Sequence, residues 1–366
     1  MREILPALGR WYAEGAPFGL ATVVAVSRSA PRDPGAAMAV GPGGEVVGSV
    51  SGGCVEAAVY ELAREVVATG EARLETFGYG DEDAFAAGLT CGGEITVLVR
   101  PVTAALDPSF GAVAGSVAAG CPVTVATVTD GPAPRGATLA VRADEVSGTL
   151  GTSGLDVAVT ADARGEPAPG ATGLRRYGPR GERCEDAVTV FLHSFAPPPR
   201  MLVFGAIDHA AAVARIGAFL GYRVTVCDAR PVFATPERFP ADAEVVVEWP
   251  HRFLERTDTD DRTVVCVLTH DPKFDVPLLV EALRRPAAYI GAMGSRRTHD
   301  ERMERLREGG LDEAVLARLR SPVGLDLGAR TPEEVAVSVA AEIVALRRGG
   351  SGVPLTATAG EIHPRR

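Results

Sequence analysis

Residues 201–230 have the sequence MLVFGAIDHAAAVARIGAFLGYRVTVCDAR, which is the pattern of a mononucleotide-binding unit. An apolar strand leads into a turn that opens at Gly205, an alanine-rich helix follows, and a second strand ends at the acid Asp228. In the standard design the first glycine makes the tight turn, the helix N-terminus attracts phosphate, and an acid about 20 residues further on holds the ribose. The stretch therefore predicts a Rossmann-type α/β domain with Gly205 and Asp228 as candidate cofactor-binding residues.

The turn of this unit is altered, because Ile207 stands at the second glycine position. A β-branched side chain obstructs the close approach of a pyrophosphate, and Asp208 adds a negative charge where the phosphate would sit. Asp208 has an alternative, structural role as the N-cap of the helix. We therefore expect a Rossmann fold with altered or lost nucleotide specificity, which disfavours ordinary NAD(P) binding.

Beyond this unit, short apolar strands alternate with helical patterns as far as about residue 348. This alternation predicts a parallel sheet with right-handed crossovers. The strands are expected at about 201–204, 223–227, 244–247, 263–268 and 288–290. Cys227 and Cys266 lie in two of them and are expected to be core residues, because cysteine in an apolar strand behaves as a small hydrophobe.

Two loops of this domain follow predicted strands at the edge where Rossmann ligands bind. LTHDPKFD places His270 and Asp271 after the fourth strand, and YIGAMGSRRTHDERMERL opens a helix after the fifth. A glycine-rich turn with a serine and two arginines suits an anionic group, although a solvated helix start is the alternative. The candidate anion-binding residues are Gly291, Gly294, Ser295, Arg296 and Arg297.

The first half of the chain contains an internal duplication. The triplet ATV at 21–23 recurs at 126–128, GSVSGGCVEAAV from Gly48 corresponds to GTLGTSGLDVAV from Gly148, and CGGEITVLV from Cys91 corresponds to CEDAVTVFL from Cys184. Each copy predicts two strands, a glycine-rich turn, a helix and a closing strand. The copies differ in chemistry at one place, because Cys54 of the first corresponds to Gly154 of the second.

The glycine-rich turn of the first copy is the candidate reactive site. Apolar residues from Val55 onward have helical spacing, so Cys54 falls near a helix N-terminus, where the helix dipole favours a thiolate. The glycines let a ligand approach the backbone. The candidate residues are Gly48, Ser51, Gly52, Gly53, Cys54 and, as a neighbour by hypothesis, Cys91. The alternatives are a buried, inert Cys54 and a structural role for Cys91.

Composition limits the other possibilities. The 366 residues have a formal net charge of −10, and scattered lysines and arginines exclude a nucleic-acid-binding face. The chain shows neither a signal peptide nor the roughly 18 apolar residues of a membrane span, so we expect a cytoplasmic protein. The six cysteines have no zinc-ligand spacing, and we expect reduced thiols.

The proline-rich run at 196–199 predicts a stiff connector between domains. We therefore expect an α+β domain over residues 1–196, with duplicated halves at about 1–105 and 106–196. The Rossmann-like domain is expected at 197–348, and a flexible tail at 349–366.

These motifs resemble the XdhC/CoxI family, the accessory factors of xanthine dehydrogenase and related molybdenum hydroxylases. The resemblance rests on GSVSGGCVEAAV, CGGEITVLVRP, YIGAMGSRRT and SPVGLDLGARTPEEVAVSVAAEIVA, which follow one another in this order over nearly the whole chain. The sequence departs from the commoner family pattern at GAIDHA, where Ile207 replaces an expected glycine. This departure argues against carrying over NAD or FAD binding.

The resemblance implies a chaperone more than a catalyst. Such a protein binds the molybdenum cofactor, shields it, aids exchange of an oxo ligand for a sulfido ligand, and passes the cofactor to the apo-hydroxylase. The implied partners are the large subunit of the client hydroxylase and a cysteine desulfurase, and family members are often dimeric. By this resemblance Cys54, as a molybdenum ligand, and Cys91 would approach the metal or its sulfur. The loop with Ser295, Arg296 and Arg297 would hold the anionic end.

Two other functions stay open. An NAD(P)-dependent oxidoreductase would use the Rossmann layout and Asp228. A module that only docks the client enzyme would need neither cysteine.

Overall fold

The computed structural model describes residues 1–27, 32–53, 55–78, 93–165, 172–183 and 185–359. Cys54, Cys91 and Cys184 therefore lie outside the described residues. The chain forms two compact units, one built from Met1–Pro197 and the other from Pro198–Thr358. Within the described ranges, no helix combines the length and the apolar character that crossing a membrane requires.

The first unit contains the same antiparallel sheet twice. The first copy consists of α1 (Leu5–Ala13), β1 (Phe18–Ser27), β2 (Ala37–Val40), β3 (Val46–Gly48), α2 (Glu56–Thr69), β4 (Arg73–Phe77) and β5 (Glu94–Val102). The second consists of α3 (Phe110–Ala118), β6 (Val123–Asp130), β7 (Thr138–Val141), β8 (Val146–Gly148), α4 (Ser153–Gly165), β9 (Thr172–Tyr177) and β10 (Val188–Phe195). The strand orders, β3-β2-β1-β5-β4 and β8-β7-β6-β10-β9, correspond element by element. The predicted duplication is therefore confirmed.

Each copy has more strands than the pattern predicted. The short β3 and β8 have three residues each, and β4 and β9 are largely exposed. Neither kind of strand produces the apolar alternation by which a half-buried strand is recognised in a sequence.

The two faces of each sheet bury different partners, because successive side chains of a strand point to opposite faces. Ala21 and Val23 of β1 join the core beneath α2, while Leu20 and Thr22 line a small pocket between the two sheets. The second copy repeats this division, with its own core beneath α4. The pocket is lined by equivalent residues of the two copies, namely Leu20 and Val125, Thr22 and Thr127, Leu98 and Phe191, Arg100 and His193. The copies therefore meet face to face around a pseudo-twofold axis.

The second unit is a six-stranded parallel sheet with the order β13-β12-β11-β14-β15-β16. Its strands are β11 (Arg200–Phe204), β12 (Arg223–Asp228), β13 (Glu244–Val247), β14 (Val264–Val267), β15 (Tyr289–Ala292) and β16 (Leu319–Arg320). Its helices are α5 (Asp208–Phe219), α6 (Pro250–Glu255), α7 (Pro272–Arg284), α8 (Arg296–Glu308), α9 (Glu313–Leu316) and α10 (Pro332–Arg348). The five predicted strands and the Rossmann-like fold are confirmed, whereas the two-residue β16 was missed.

Helices on both faces bury this sheet in two separate cores. The central strands are therefore continuous apolar runs, as parallel strands covered on both faces usually are. Cys227 and Cys266 are 1% and 0% exposed and belong one to each core, which confirms them as core residues.

Candidate functional site

The glycine-rich loop of the first copy, residues 48–55, joins β3 to α2. Gly48 has φ +81°, and a Cβ atom there would lie 2.2 Å from the carbonyl oxygen of Ala37, so this position requires glycine. Gly52 and Gly53 also have positive φ but are exposed, and no described residue lies within 4 Å of a Cβ built at either. The loop is thus anchored at its start and open at the two residues that precede Cys54.

The carboxylate of Glu56, the first residue of α2, organises the whole loop. Its donors are Ser49 Oγ (2.7 Å), Ser51 N (2.9 Å), Ser51 Oγ (2.5 Å), Gly52 N (2.9 Å), Gly53 N (2.8 Å) and Val55 N (3.2 Å). Burial alone would raise the pKa of Glu56, but the hydrogen bonds from Ser51 and Ser49 outweigh it and lower the pKa to about 2. Glu56 is therefore ionised at neutral pH.

This arrangement changes what the loop can do chemically. The amides of Ser51, Gly52 and Gly53, which the sequence offers to a ligand, donate to Glu56 instead. Gly53 N and Val55 N, on either side of Cys54, donate to the same oxygen, Oε2. The backbone around the cysteine is thus held by an internal anion. A contact between these residues and a cofactor stays a prediction.

Glu56 was not among the residues predicted from the sequence. The signal was an acid in the first turn of a helix directly after a serine- and glycine-rich loop, since free N–H groups at a helix start attract a carboxylate.

The corresponding loop of the second copy has the same plan with fewer hydrogen bonds. Asp156, at the position of Glu56, accepts from Thr149 Oγ1 (2.8 Å) and Leu150 N (2.7 Å). A Cβ atom at Gly154 would lie 2.2 Å from the carbonyl oxygen of Arg180, because the turn after β9 covers the loop. The position that corresponds to Cys54 is therefore sterically restricted to glycine.

In the second unit, the altered turn after β11 is closed by protein side chains. Gly205 has φ +105°, and a Cβ there would lie 2.9 Å from Thr269 Cγ2. Ile207 is the N-cap of α5, so the alternative that Asp208 caps the helix is wrong. Asp208 instead begins the helix and pairs with Arg238 at 3.0 Å, and Arg238 also donates to the carbonyl of Ala206 at 2.9 Å. A phosphate would therefore be repelled by the acid at this turn, and Arg238 is already paired with groups of the protein.

The carboxylate of Asp228, predicted to hold a ribose, is saturated by the protein. Oδ1 accepts from Arg230 N and Nε, both at 2.9 Å, while Oδ2 accepts from Ala206 N at 2.7 Å and Arg230 Nη2 at 2.8 Å. Burial alone would raise the pKa of Asp228, but these hydrogen bonds lower it. Two oxygens offer about four acceptor positions. A ribose hydroxyl could bind only if Arg230 moved.

The loop after β14 contains His270 and Asp271. His270 is exposed, and Asp271 is the N-cap of α7, where it accepts from Lys273 N at 3.1 Å and pairs with Lys273 Nζ at 2.8 Å. The hydrogen bonds from Lys273 lower the pKa of Asp271. A ligand-binding role for either residue stays a prediction.

The loop after β15 contains the remaining candidates. Gly291 lies within the strand, where a Cβ would come 2.5 Å from the ring of Tyr289, so its role is packing. Ser295 is the N-cap of α8 and accepts from Thr298 N at 3.1 Å. Arg296 and Arg297 are exposed on the first turn, and Arg297 pairs with Glu301. Gly294 precedes the cap. The helix start thus presents exposed guanidinium groups, as an anion site requires.

A buried ion pair fixes both loops and was missed by sequence analysis. Asp275 and Arg302 lie 3.1 Å apart with side chains only 5% and 3% exposed. Asp275 accepts from Thr269 Oγ1, and Arg302 donates to Met293 O at 2.9 Å and Ser321 Oγ at 2.9 Å. Burial raises the pKa of Asp275. Removing one partner would leave an uncompensated buried charge, so the pair positions the two loops.

Taken by its architecture, the chain is a two-unit protein with a duplicated antiparallel domain and a modified Rossmann domain. The family model of the XdhC Rossmann domain matches residues 201–343. The model of the XdhC and CoxI family matches residues 11–78 and again 116–178. The chain belongs to the XdhC and CoxI family, and the two separate matches coincide with the two copies of the repeat.

Three known proteins are similar over most of this chain. The molybdenum cofactor insertion chaperone PaoD of Escherichia coli is 30% identical, with 90% of this chain and 83% of PaoD covered. A probable xanthine dehydrogenase subunit of Bacillus subtilis is 28% identical, with 90% and 93% covered. The crystal structure of a xanthine dehydrogenase from Bacillus halodurans superposes with a TM-score of 0.73 at 25% identity, covering 98% and 97%.

A further relative is longer than this chain. The uncharacterized protein YqeB of Escherichia coli is 31% identical over 63% of this chain, which spans 45% of YqeB.

Proposed function

We propose that this protein is a maturation factor that binds the molybdenum cofactor and helps to insert it into a molybdenum hydroxylase. The observation that carries the proposal is the difference between the two glycine-rich loops. In the first, Gly52 and Gly53 are exposed and directly precede Cys54, whereas the second has Gly154 at the corresponding position, where the carbonyl oxygen of Arg180 leaves no room for a side chain. Similarity to PaoD, a molybdenum cofactor insertion chaperone, supports this function.

The first unit would supply the thiol. Thiolate sulfur is a ligand that soft and thiophilic metals prefer, and the cofactor would supply such a metal when bound. Glu56 would hold the backbone on both sides of Cys54 in one conformation. Because Glu56 already uses the loop amides, the anionic end of the cofactor would have to bind elsewhere.

The second unit would supply the anion site at the start of α8. The turn after β11 disfavours a phosphate because Asp208 and Asp228 are both ionisable acids held there. Arg296 and Arg297 at the start of α8 are exposed and cationic. We propose that this helix start, together with Ser295, is an anion-binding site that suits a phosphate.

Several finer features of the proposal follow from family membership. The protein would shield the cofactor during exchange of an oxo for a sulfido ligand, with sulfur supplied by a cysteine desulfurase. It would deliver the cofactor to the large subunit of the client, and would act as a homodimer in the cytoplasm. Cys91 would assist Cys54.

The test is to purify the protein from hosts with and without molybdopterin synthesis and to measure bound pterin by its fluorescence after oxidation. We expect pterin only from the producing host, and at least a tenfold loss in Cys54→Ala. Cys121→Ala is the matched control, because Cys121 is an exposed free cysteine of the same unit. Absence of pterin from both hosts, together with full client activity in a Cys54→Ala strain, would refute the proposal. A preserved complex with that client activity would instead identify a docking module.

An NAD(P)-dependent oxidoreductase is the second candidate function. The saturated Asp228 carboxylate and the side chain of Ile207 both oppose it. Calorimetric titration with NAD and with NADP tests it, since a dehydrogenase site would bind with about micromolar affinity. We expect no binding heat from either nucleotide.

A further inference from the structure

We propose that Phe233 and Trp249 form a stacking platform for a planar heteroaromatic ring of the pterin or purine type. The platform lies where β12 and β13 end in the second unit. The inference rests on the proposed function, because the ring would be that of the cofactor or of a nucleotide attached to it.

Both rings are unusually exposed for large aromatic residues. Phe233 is 41% exposed and Trp249 is 43% exposed. Val232, beside Phe233, is 75% exposed, and Val247, two residues before Trp249, is 52% exposed. Exposed apolar groups that collect at one place on a surface mark a binding site more often than scattered ones do.

The β-sheet register places the segments that carry the two aromatic residues after the ends of neighbouring strands. Asp228 and Val247 are register partners at the ends of β12 and β13, and Glu248 N donates to Asp228 O at 3.2 Å. Phe233 follows Asp228 by five residues, and Trp249 follows Glu248 directly. The carboxyl ends of parallel strands are where ligands of this fold class bind.

The chain holds a guanidinium group rigidly against Phe233. Arg230 Cζ lies 4.6 Å from the centre of the Phe233 ring. The same guanidinium makes two hydrogen bonds to Asp228, through Nε and Nη2, so its plane is fixed before any ligand arrives. A planar cation stacked on an aromatic ring extends the flat surface available to a heterocycle.

The ring of Trp249 packs against two other aromatic rings of the second unit. Its ring centre lies 5.1 Å from that of Phe274 and 6.0 Å from that of His251. Lys273 Nζ lies 4.8 Å from the centre of the Phe274 ring. Packing of this kind fixes the indole while it leaves nearly half of its surface in contact with solvent. An ordered aromatic surface loses little conformational entropy when a ring stacks on it.

The loop after β14 connects the two parts of the platform. Asp271 pairs with Lys273, next to the Phe274 ring that contacts Trp249. The pKa of Asp271 is lowered by its hydrogen bonds with Lys273 and, to a smaller extent, by the charge of Arg230. Trp249 therefore lies next to the helix that this loop begins, and the charge of Arg230 acts on the loop.

The charges around the platform favour an uncharged ring over a phosphate. Asp208, Asp228 and Asp271 are carboxylates at the same edge of the sheet, and each is already paired with a cation of the chain. A phosphate would be repelled, whereas a neutral heterocycle gains from stacking on aromatic and guanidinium faces. The exposed arginines of α8 would be available to bind the phosphate end of the same ligand.

The test uses the fluorescence of Trp249. The chain has two tryptophans, and Trp11, in the other unit, is buried against Phe18. In a Trp11→Phe background Trp249 is the only indole. We would titrate this protein with 6-hydroxymethylpterin in one arm and with adenosine, which has no phosphate, in the other, using N-acetyltryptophanamide to correct for absorption by the probe. Phe233→Ala is the test variant, and Phe219→Ala is the matched control, because Phe219 is an 86% exposed phenylalanine at the last residue of α5.

We expect saturable quenching in at least one arm, with a Kd raised at least fivefold in Phe233→Ala and changed less than twofold in Phe219→Ala. Quenching only by the pterin or only by adenosine supports the platform and identifies the ring it takes. No saturable quenching in either arm, or an unchanged Kd in Phe233→Ala, would overturn the inference. If pterin still copurifies in a Cys54-dependent manner under those circumstances, the proposed function survives without this platform.

Discussion

Gly48 and Gly148 begin the same loop in the two copies of the repeat, and the two loops start with the same backbone hydrogen bond. Both glycines have positive φ, of +81° and +90°. The next residue donates its amide to the strand behind it at 3.0 Å in both copies, Ser49 to Ala37 O and Thr149 to Thr138 O. A carboxylate in the first turn of the following helix then closes each loop.

The loops differ in the residue at the sixth position after that glycine, which is Cys54 in the first copy and Gly154 in the second. In the second copy the turn containing Arg180 packs directly on Gly154. Among the described residues, Glu56 accepts six hydrogen bonds and Asp156 accepts two. Duplication thus left one loop with a position that only glycine can occupy, while the other has a cysteine between two residues whose amides donate to Glu56.

Introducing the cysteine into the second loop should have the largest effect. In Gly154→Cys the Cβ would meet a backbone oxygen at 2.2 Å, and backbone cannot move aside as a flexible side chain can. We expect a loss of about 3 kcal/mol in the free energy of unfolding of the first unit. Urea unfolding followed by Trp11 fluorescence in a Trp249→Phe background measures it.

Gly52→Ala is the matched control for this substitution. It meets only the strain of positive φ, which costs about 1–2 kcal/mol, because the space beside it is open. Equal losses for the two variants would show that Arg180 does not close the second loop.

Neutralising Glu56 or Asp156 should lower the free energy of unfolding by less than Gly154→Cys does, and by different amounts in the two loops. Glu56→Gln turns an amide NH₂ group toward the loop donors and removes a charge that accepts six hydrogen bonds, so we expect a loss of about 2 kcal/mol. Asp156→Asn should cost about 1 kcal/mol, because fewer bonds are lost. Hydrogen exchange of peptides spanning each loop gives an independent measurement, in which the exchange should accelerate more in the first loop.

The pH dependence of Glu56 follows from the same bonds. Its pKa is about 2 in the folded protein against an ordinary value of 4.5, so its contribution is complete above pH 4.5 and is lost as the pH falls toward 2. Solvent screening limits this contribution to about 1–2 kcal/mol. Glu56→Gln should therefore abolish that part of the acid sensitivity. An identical acid profile in Glu56→Gln and in the unmodified protein would contradict the role given to this carboxylate.

The last expected effect, no larger than that of protonating Glu56, concerns Arg100 and His193, which occupy equivalent positions on the two inner faces. Arg100 pairs with the buried Asp107 at 2.9 Å, whereas burial between the sheets lowers the pKa of His193 to about 3. Below pH 6.5 His193 is protonated in the unfolded chain but stays neutral in the folded protein. The free energy of unfolding therefore decreases as the pH falls from 6.5 toward 3. Between about pH 6.5 and 5 we expect a loss of about 1–2 kcal/mol.

His193→Gln should remove most of this loss, as seen by unfolding titrations at both pH values with Trp11 as the reporter. Glu56 stays ionised over that range, so its titration does not obscure the result. A loss that persists unchanged in His193→Gln would assign the acid sensitivity to another group.

In the Rossmann-type unit, most of the strands could be predicted from the hydrophobic pattern alone. Its five longer strands were predicted because each is a continuous apolar run between helical patterns, which burial on both faces of a parallel sheet requires. The two-residue β16 was missed since so short a strand has no period. In the first unit the duplication was visible as repeated motifs, although the exposed β4 and the short β3 were not.

The site residues likewise divide into those that could be predicted from the sequence and those that could not. Candidate loops could be located because glycines, caps and strand ends are local features, and Ser295 and Asp271 do cap the helices that follow them. The pairing of Asp275 with Arg302, which are 27 residues apart, could not be predicted, nor could the contact of Gly154 with Arg180. These contacts depend on how separate segments pack.

The sequence by itself determined the two-part organisation, the duplication, the parallel sheet and the position of a chemical difference between the copies, Cys54 against Gly154. Local periodicity and the repeated motifs carry that information. Only the tertiary structure decided that Glu56 occupies the loop amides and that Arg230 saturates Asp228. Whether a polar group is available to a ligand depends on which partners packing brings within hydrogen-bonding distance, and no single segment specifies that.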